Sequence, residues 1–116
     1  MGIIDNKDVR EAFKKEAGSL IKKIKINLSR IDNAPRSTLH ASRIFRLFRH
    51  AHTLKGIAGT CGHYGIEAAA EPIVEIFRAA KDGPLEISPK DKVLVKKNLN
   101  VCEKLLKRTN NELLIE

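Results

Sequence analysis

A histidine, a lysine one helical turn further on and three spaced glycines share the stretch His52-Thr53-Leu54-Lys55-Gly56-Ile57-Ala58-Gly59-Thr60-Cys61-Gly62. An imidazole with a reference pKa near 6.5 is largely neutral at cytoplasmic pH, so one ring nitrogen carries an available lone pair. Nε2 projects furthest from the backbone and is the natural nucleophile. Lys55 would place a cation where negative oxygens gather around a group bound to that nitrogen. Glycine inside a helix costs about 1 kcal/mol relative to alanine, so Gly56 and Gly59 ask for compensation. Bare backbone beside an imidazole lets another molecule approach closely. Gly62 has the simpler reading of a helix C-cap. Together these residues describe a reactive histidine with room for a docking partner.

The element that must position them is an amphipathic helix. Ile44, Leu47, Ala51, Leu54, Ala58 and Cys61 recur by threes and fours, as a buried seam in a helical bundle does. Phe45, Phe48, His52, Lys55 and Gly59 repeat the rhythm. At about 100° per residue this second stripe lies beside the first, on the flank of the bundle, with the His52 ring reaching water.

His52-x-x-Lys55-Gly56, followed by Gly59 and Gly62, resembles the histidine phosphotransfer (HPt) domain of phosphorelays. It is also similar to the phosphoacceptor domain of chemotaxis-type histidine kinases. The close match spans about residues 46 to 70; elsewhere only length and helical pattern fit. The resemblance implies an antiparallel four-helix bundle and a phosphoryl group accepted on His52. That group would pass to or from the aspartate of a response-regulator receiver domain. Lys55 would stabilise the phosphoryl oxygens, and Gly56 and Gly59 would clear the backbone for the partner. Phe45 and Phe48 would either offer apolar docking surface or belong to a wide core stripe. Arg49 would either attract the phosphoryl group or simply face solvent. In the chemotaxis-kinase relatives an acidic residue on the next helix orients the histidine. Alignment on the glycines puts Val74 there, leaving Glu71 or Glu75 to orient the ring, or water alone. The resemblance implies receiver domains as partners, and a sensor histidine kinase as a further candidate. Mg2+ is expected from the receiver, and no cofactor or metal of the chain's own. The chain reads as a phosphocarrier, not an ATP-using enzyme, because it shows no nucleotide loop. Whether it stands free or belongs to a hybrid kinase stays open.

The rest of the chain supplies the other helices. Val9, Phe13, Ala17, Leu20, Ile24, Leu28 and Ile31 mark a helix at about 6–32, capped by Asp5 or Asn6 and broken by Asp32-Asn33-Ala34-Pro35. Ser37 can cap the motif helix, about 38–61. A third helix, about 64–81, carries Ile66, Ala69, Ala70, Ile73, Ile76, Phe77 and Ala80, with a kink expected near Pro72. Ser88-Pro89-Lys90-Asp91 starts a fourth, about 89–113, with Val95, Leu99, Cys102, Leu106 and Leu113 on its seam. Four helices with short links predict an all-α, up-down-up-down bundle.

Composition bounds the remaining classes. With 116 residues, 42% hydrophobic and 31% charged, the chain is expected to form one soluble domain, residues 1–116, and to be monomeric. No apolar run suffices to span a bilayer and the N-terminus has no signal-peptide core, so a cytoplasmic location and no membrane partner are expected. Cys61 and Cys102 sit on seams and read as packed thiols. His50 and His52 diverge on a helix, and Cys61 and His63 lack further ligands, which argues against zinc. His40, His50 and His63 read as surface or cap residues. The net charge of +8 raises a second class, a basic nucleic-acid-binding domain. Glu67-Ala68-Ala69-Ala70-Glu71 is too apolar and acidic for a recognition helix, and aromatics are only 4%, so nucleic acid is not expected. A third class is an interaction bundle without phosphate transfer.

Overall fold

The computed structural model describes the backbone of residues 7–33 and 38–115 and the side chains of residues 7–31 and 39–108. Four helices follow one another: α1 (Lys7–Asn33), α2 (Thr38–Thr60), α3 (Tyr64–Asp82) and α4 (Pro89–Ile115). Each packs on its neighbours in the chain, and α1 closes the ring against α4. The pairings run antiparallel. On α2 and α3, Phe45 lies by Lys81, Phe48 by Arg78, and Lys55 pairs with Glu71. On α1 and α4, Lys25 pairs with Glu103 and Gly18 lies against Leu106. The fold is therefore the all-α, up-down-up-down bundle that the periodicity predicts.

The seams fill the core. Ile44, Leu47, Ala51, Leu54 and Ala58 of α2 are fully buried. So are Ile24 of α1, Ile73 and Phe77 of α3, and Val95, Leu99 and Cys102 of α4. Fully burying one such Ile, Leu, Val or Phe side chain contributes about 1.5–3 kcal/mol. The core is wider than single stripes predict, because each helix of a ring touches two neighbours. Ile21 and Val74 are buried as well. Cys61 departs the other way: it lies past the end of α2 and is only half-buried. Both cysteines are free thiols, and burial pushes the Cys102 thiol up to about 11.

The helix ends show the chemistry that sets them. Gly62 has φ 79°, the left-handed region that favours glycine, and the His63 N–H donates to the Ala58 carbonyl at 2.8 Å. That closes α2 and turns the chain within three residues. The Asp91 N–H donates to Ser88 Oγ at 3.1 Å, which caps α4. α3 runs through Pro72 without interruption. Proline removes the bond to the Ala68 carbonyl, and Ala68 is exposed, so water can replace it. The caps expected at Asp5, Asn6 and Ser37, the break at Ala34-Pro35 and the side chain of the seam residue Leu113 lie outside what is described. No described helix is long and apolar enough to cross a membrane.

His40 corrects its reading as a surface or cap residue. It is 9% exposed, and its Nε2 lies 2.6 Å from the Leu85 carbonyl oxygen in the α3–α4 link. His63 does not cap α3 with its side chain; its ring stacks on Phe13 with centroids 4.5 Å apart.

Candidate functional site

The three-residue link after α2 fixes the register of α2 on α3. Positions equally far from His63 on either side stand level: Gly59 with Glu67, Lys55 with Glu71, Phe48 with Arg78, Phe45 with Lys81. The same register puts Val74 level with His52. This ladder forms the outer edge of the α2/α3 seam, and the sequence-predicted site residues lie along it.

His52 is exposed near the middle of α2, with the buried Ala51 and Leu54 anchoring the backbone on either side. Among the described residues, neither ring nitrogen has a hydrogen-bond partner. The ring stacks on Phe48, with centroids 5.6 Å apart and planes 29° apart. Aromatic pairs of this kind contribute about 0.5–1.5 kcal/mol beyond the area they bury. Phe48 is half-buried and packs against the core, whereas Phe45 is 47% exposed. Phe48 thus belongs to the edge of the core, and Phe45 lies outside it.

Lys55 lies one turn beyond His52 and forms an ion pair with Glu71. Both side chains are partly open to water, so the pair contributes under about 1 kcal/mol and a stronger anion can take Lys55 from it. Glu75 turns to Arg78, with Arg78 Nε 3.4 Å from its Oε1. The two carboxylates expected to orient the imidazole are therefore paired with Lys55 and Arg78. Val74, buried and apolar, occupies the level of His52 itself.

The glycines differ in what surrounds them. A Cβ at Gly56 would meet nothing within 4 Å, so the space over this turn is open. A Cβ at Gly59 would run into the Glu67 carboxylate, so Gly59 makes room within the molecule. Arg49 is exposed, and His50 faces α1, where burial first and then Lys23, Arg49 and Arg46 hold its pKa below 6.5.

Two residues that sequence reasoning passed over join the site. The Arg78 guanidinium lies 5.2 Å from the Phe48 ring centroid, and Lys81 Nζ lies 5.0 Å from it and 6.0 Å from that of Phe45. Their signal was the short link, which sets them level with the two phenylalanines.

An exposed histidine with free nitrogens, a lysine a turn away and open backbone just beyond it at Gly56 can accept a group from a docked partner. A model of the Hpt domain family matches residues 8–111. The chain belongs to the Hpt domain family. Membership implies histidine phosphotransfer within a phosphorelay, and receiver domains and kinases as the proteins an Hpt domain meets. Hpt domains are phosphocarriers. Neither the curated proteins nor the solved structures give a match to this chain.

Proposed function

We propose that this Hpt domain carries its phosphoryl group on Nε2 of His52 and exchanges it with the aspartate of a receiver domain. The observation that carries the reading is the His52 ring: exposed on a rigid helix, both nitrogens unbonded, with Lys55 on the next turn and open space at Gly56. The Nε2 lone pair attacks phosphorus in line. The N–P bond forms as the bond from phosphorus to the aspartyl oxygen breaks, and the carboxylate leaves with its electron pair. Nδ1 keeps its hydrogen throughout, so the step requires no proton acceptor. Lys55 leaves Glu71 to meet the phosphoryl oxygens, and Gly56 admits the receiver's loops.

Mg2+ requires oxygen ligands. The groups beside His52 are a lysine, glycines and phenyl rings, and the nearest carboxylates are paired with cations. Mg2+ would therefore be held by the receiver, where it neutralises the phosphoryl group in transfer. The domain acts in the cytoplasm as a monomer, with a sensor kinase as the source of phosphoryl groups.

The test is to mix the protein with radiolabelled phospho-receiver domains and follow the label. Acid-labile, base-stable label on the wild type, absent from His52→Gln, is expected. Label retained by His52→Gln would overturn the assignment.

A further inference from the structure

An in-line transfer needs the nucleophilic ring held at a fixed angle. Among the described residues no carboxylate holds it. Val74 stands level with His52, Glu71 is paired with Lys55 and Glu75 with Arg78. The group that touches the imidazole is the phenyl ring of Phe48. That phenyl ring is itself fixed, by the core on one side and by two cations of α3. Each cation is tied in turn: Arg78 to Glu75, and Lys81 Nζ to Asp82 Oδ1 at 2.6 Å.

We propose that Phe48, clamped by Arg78 and Lys81, is the positioning residue of the phosphoacceptor, doing the work a carboxylate does elsewhere. The inference deepens the assignment of His52 and rests on it. The chain of contact runs Glu75, Arg78, Phe48, His52, so Glu75 acts on the ring through two intermediaries.

The substitution has a chemical consequence. A carboxylate accepting from Nδ1–H would select the tautomer with a free Nε2 lone pair. A phenyl face orients the plane of the imidazole but bonds neither nitrogen, so it leaves the tautomers to water. Positioning and tautomer selection are separate in this site.

Three variants of the full chain, with ring-labelled histidine, test this. In the wild type, the Phe48 ring current shifts the His52 carbon-bound ring protons, and their signals mark the stack. Phe48→Leu should lose that shift and leave the tautomer ratio, read from ring 15N shifts, unchanged. It should lower the maximal rate of label uptake from a phospho-receiver by roughly tenfold to a hundredfold, the range for a misplaced reacting group. The receiver concentration at half-maximal rate should stay within about twofold, which separates positioning from docking. Phe48→Tyr should restore shift and rate together. Arg78→Gln with Lys81→Gln, the first exposed and the second half-buried, should move the His52 signals part of the way towards those of Phe48→Leu.

A Phe48→Leu variant with wild-type maximal rate or unmoved His52 signals overturns the proposal. A changed half-maximal concentration at unchanged maximal rate also overturns it, in favour of docking. Should Phe48→Leu fail to fold, unmoved His52 signals in the double variant overturn it instead. A wild type that takes no label sinks the assignment of His52 as phosphoacceptor, and the ring signals still decide whether Phe48 holds the imidazole.

Discussion

Two histidines of α2 are held in opposite ways. His40, near the start of the helix, is buried, and its Nε2 must donate to the Leu85 carbonyl, because a carbonyl can only accept. That nitrogen has no lone pair to give. His52, three turns on, is exposed, rests a ring face on Phe48, and has both nitrogens open. The same side chain on the same helix is a tether in one place and a candidate nucleophile in the other. What differs is the group standing level with it. At His40 it is the carbonyl of Leu85, a residue with φ 58°, turned inward by the α3–α4 link. At His52 it is a buried valine that leaves the ring nitrogens alone. The contrast lies in what the neighbours bond at His40 and leave unbonded at His52.

The comparison breaks most visibly by exchange. His52→Gln should abolish phosphoryl uptake and cost no more than about 0.5–1.5 kcal/mol in stability, the worth of the ring's stack on Phe48, since its nitrogens bond nothing. Gly56→Leu should come next: nothing lies within 4 Å of the new Cβ, so the domain should melt no lower than wild type while transfer from a receiver falls roughly tenfold as the approach closes. His40→Leu should do the reverse. It strands the Leu85 carbonyl and should cost about 1–3 kcal/mol in denaturant titrations, with transfer per folded molecule unchanged.

Smaller effects sharpen the picture. Glu71→Gln should free Lys55 and lengthen the phosphohistidine lifetime by roughly twofold to fivefold, since the phosphoryl group no longer competes for the ammonium. Its stability should change by under about 0.5 kcal/mol. His50 supplies the pH dependence. Burial, with Lys23, Arg49 and Arg46, lowers its folded pKa below 6.5. The unfolded chain therefore binds the proton first, and stability falls as pH drops from 6.5 through the lowered folded value. His50→Gln should flatten the stability curve in that window alone, measured by urea unfolding at stepped pH.

The sequence carried the fold because its apolar spacing, cap residues and link lengths agree with one another. Ser88 and Gly62 act where local chemistry puts them, and the α2 seam buries as its rhythm requires. Ile21 and Val74 escaped because a single stripe describes a helix with one neighbour, and each helix here has two. His40 escaped because its partner is a loop carbonyl forty-five residues away, and no local pattern encodes the path of that link. At the site, His52, Lys55 and the glycines were legible as a motif. Which groups touch the imidazole was not, because that depends on the register between α2 and α3. Once the short link sets that register, Glu71 falls to Lys55, Glu75 to Arg78, and Phe48 to His52.

The most direct measurement is to phosphorylate the protein through a receiver domain and locate the phosphoryl group by 31P–1H NMR of histidine-labelled chain. One phosphohistidine is expected, at Nε2 of His52, with the signals of His40, His50 and His63 unmodified. A phosphoryl group on any of those three, or on Nδ1 of His52, would contradict that assignment.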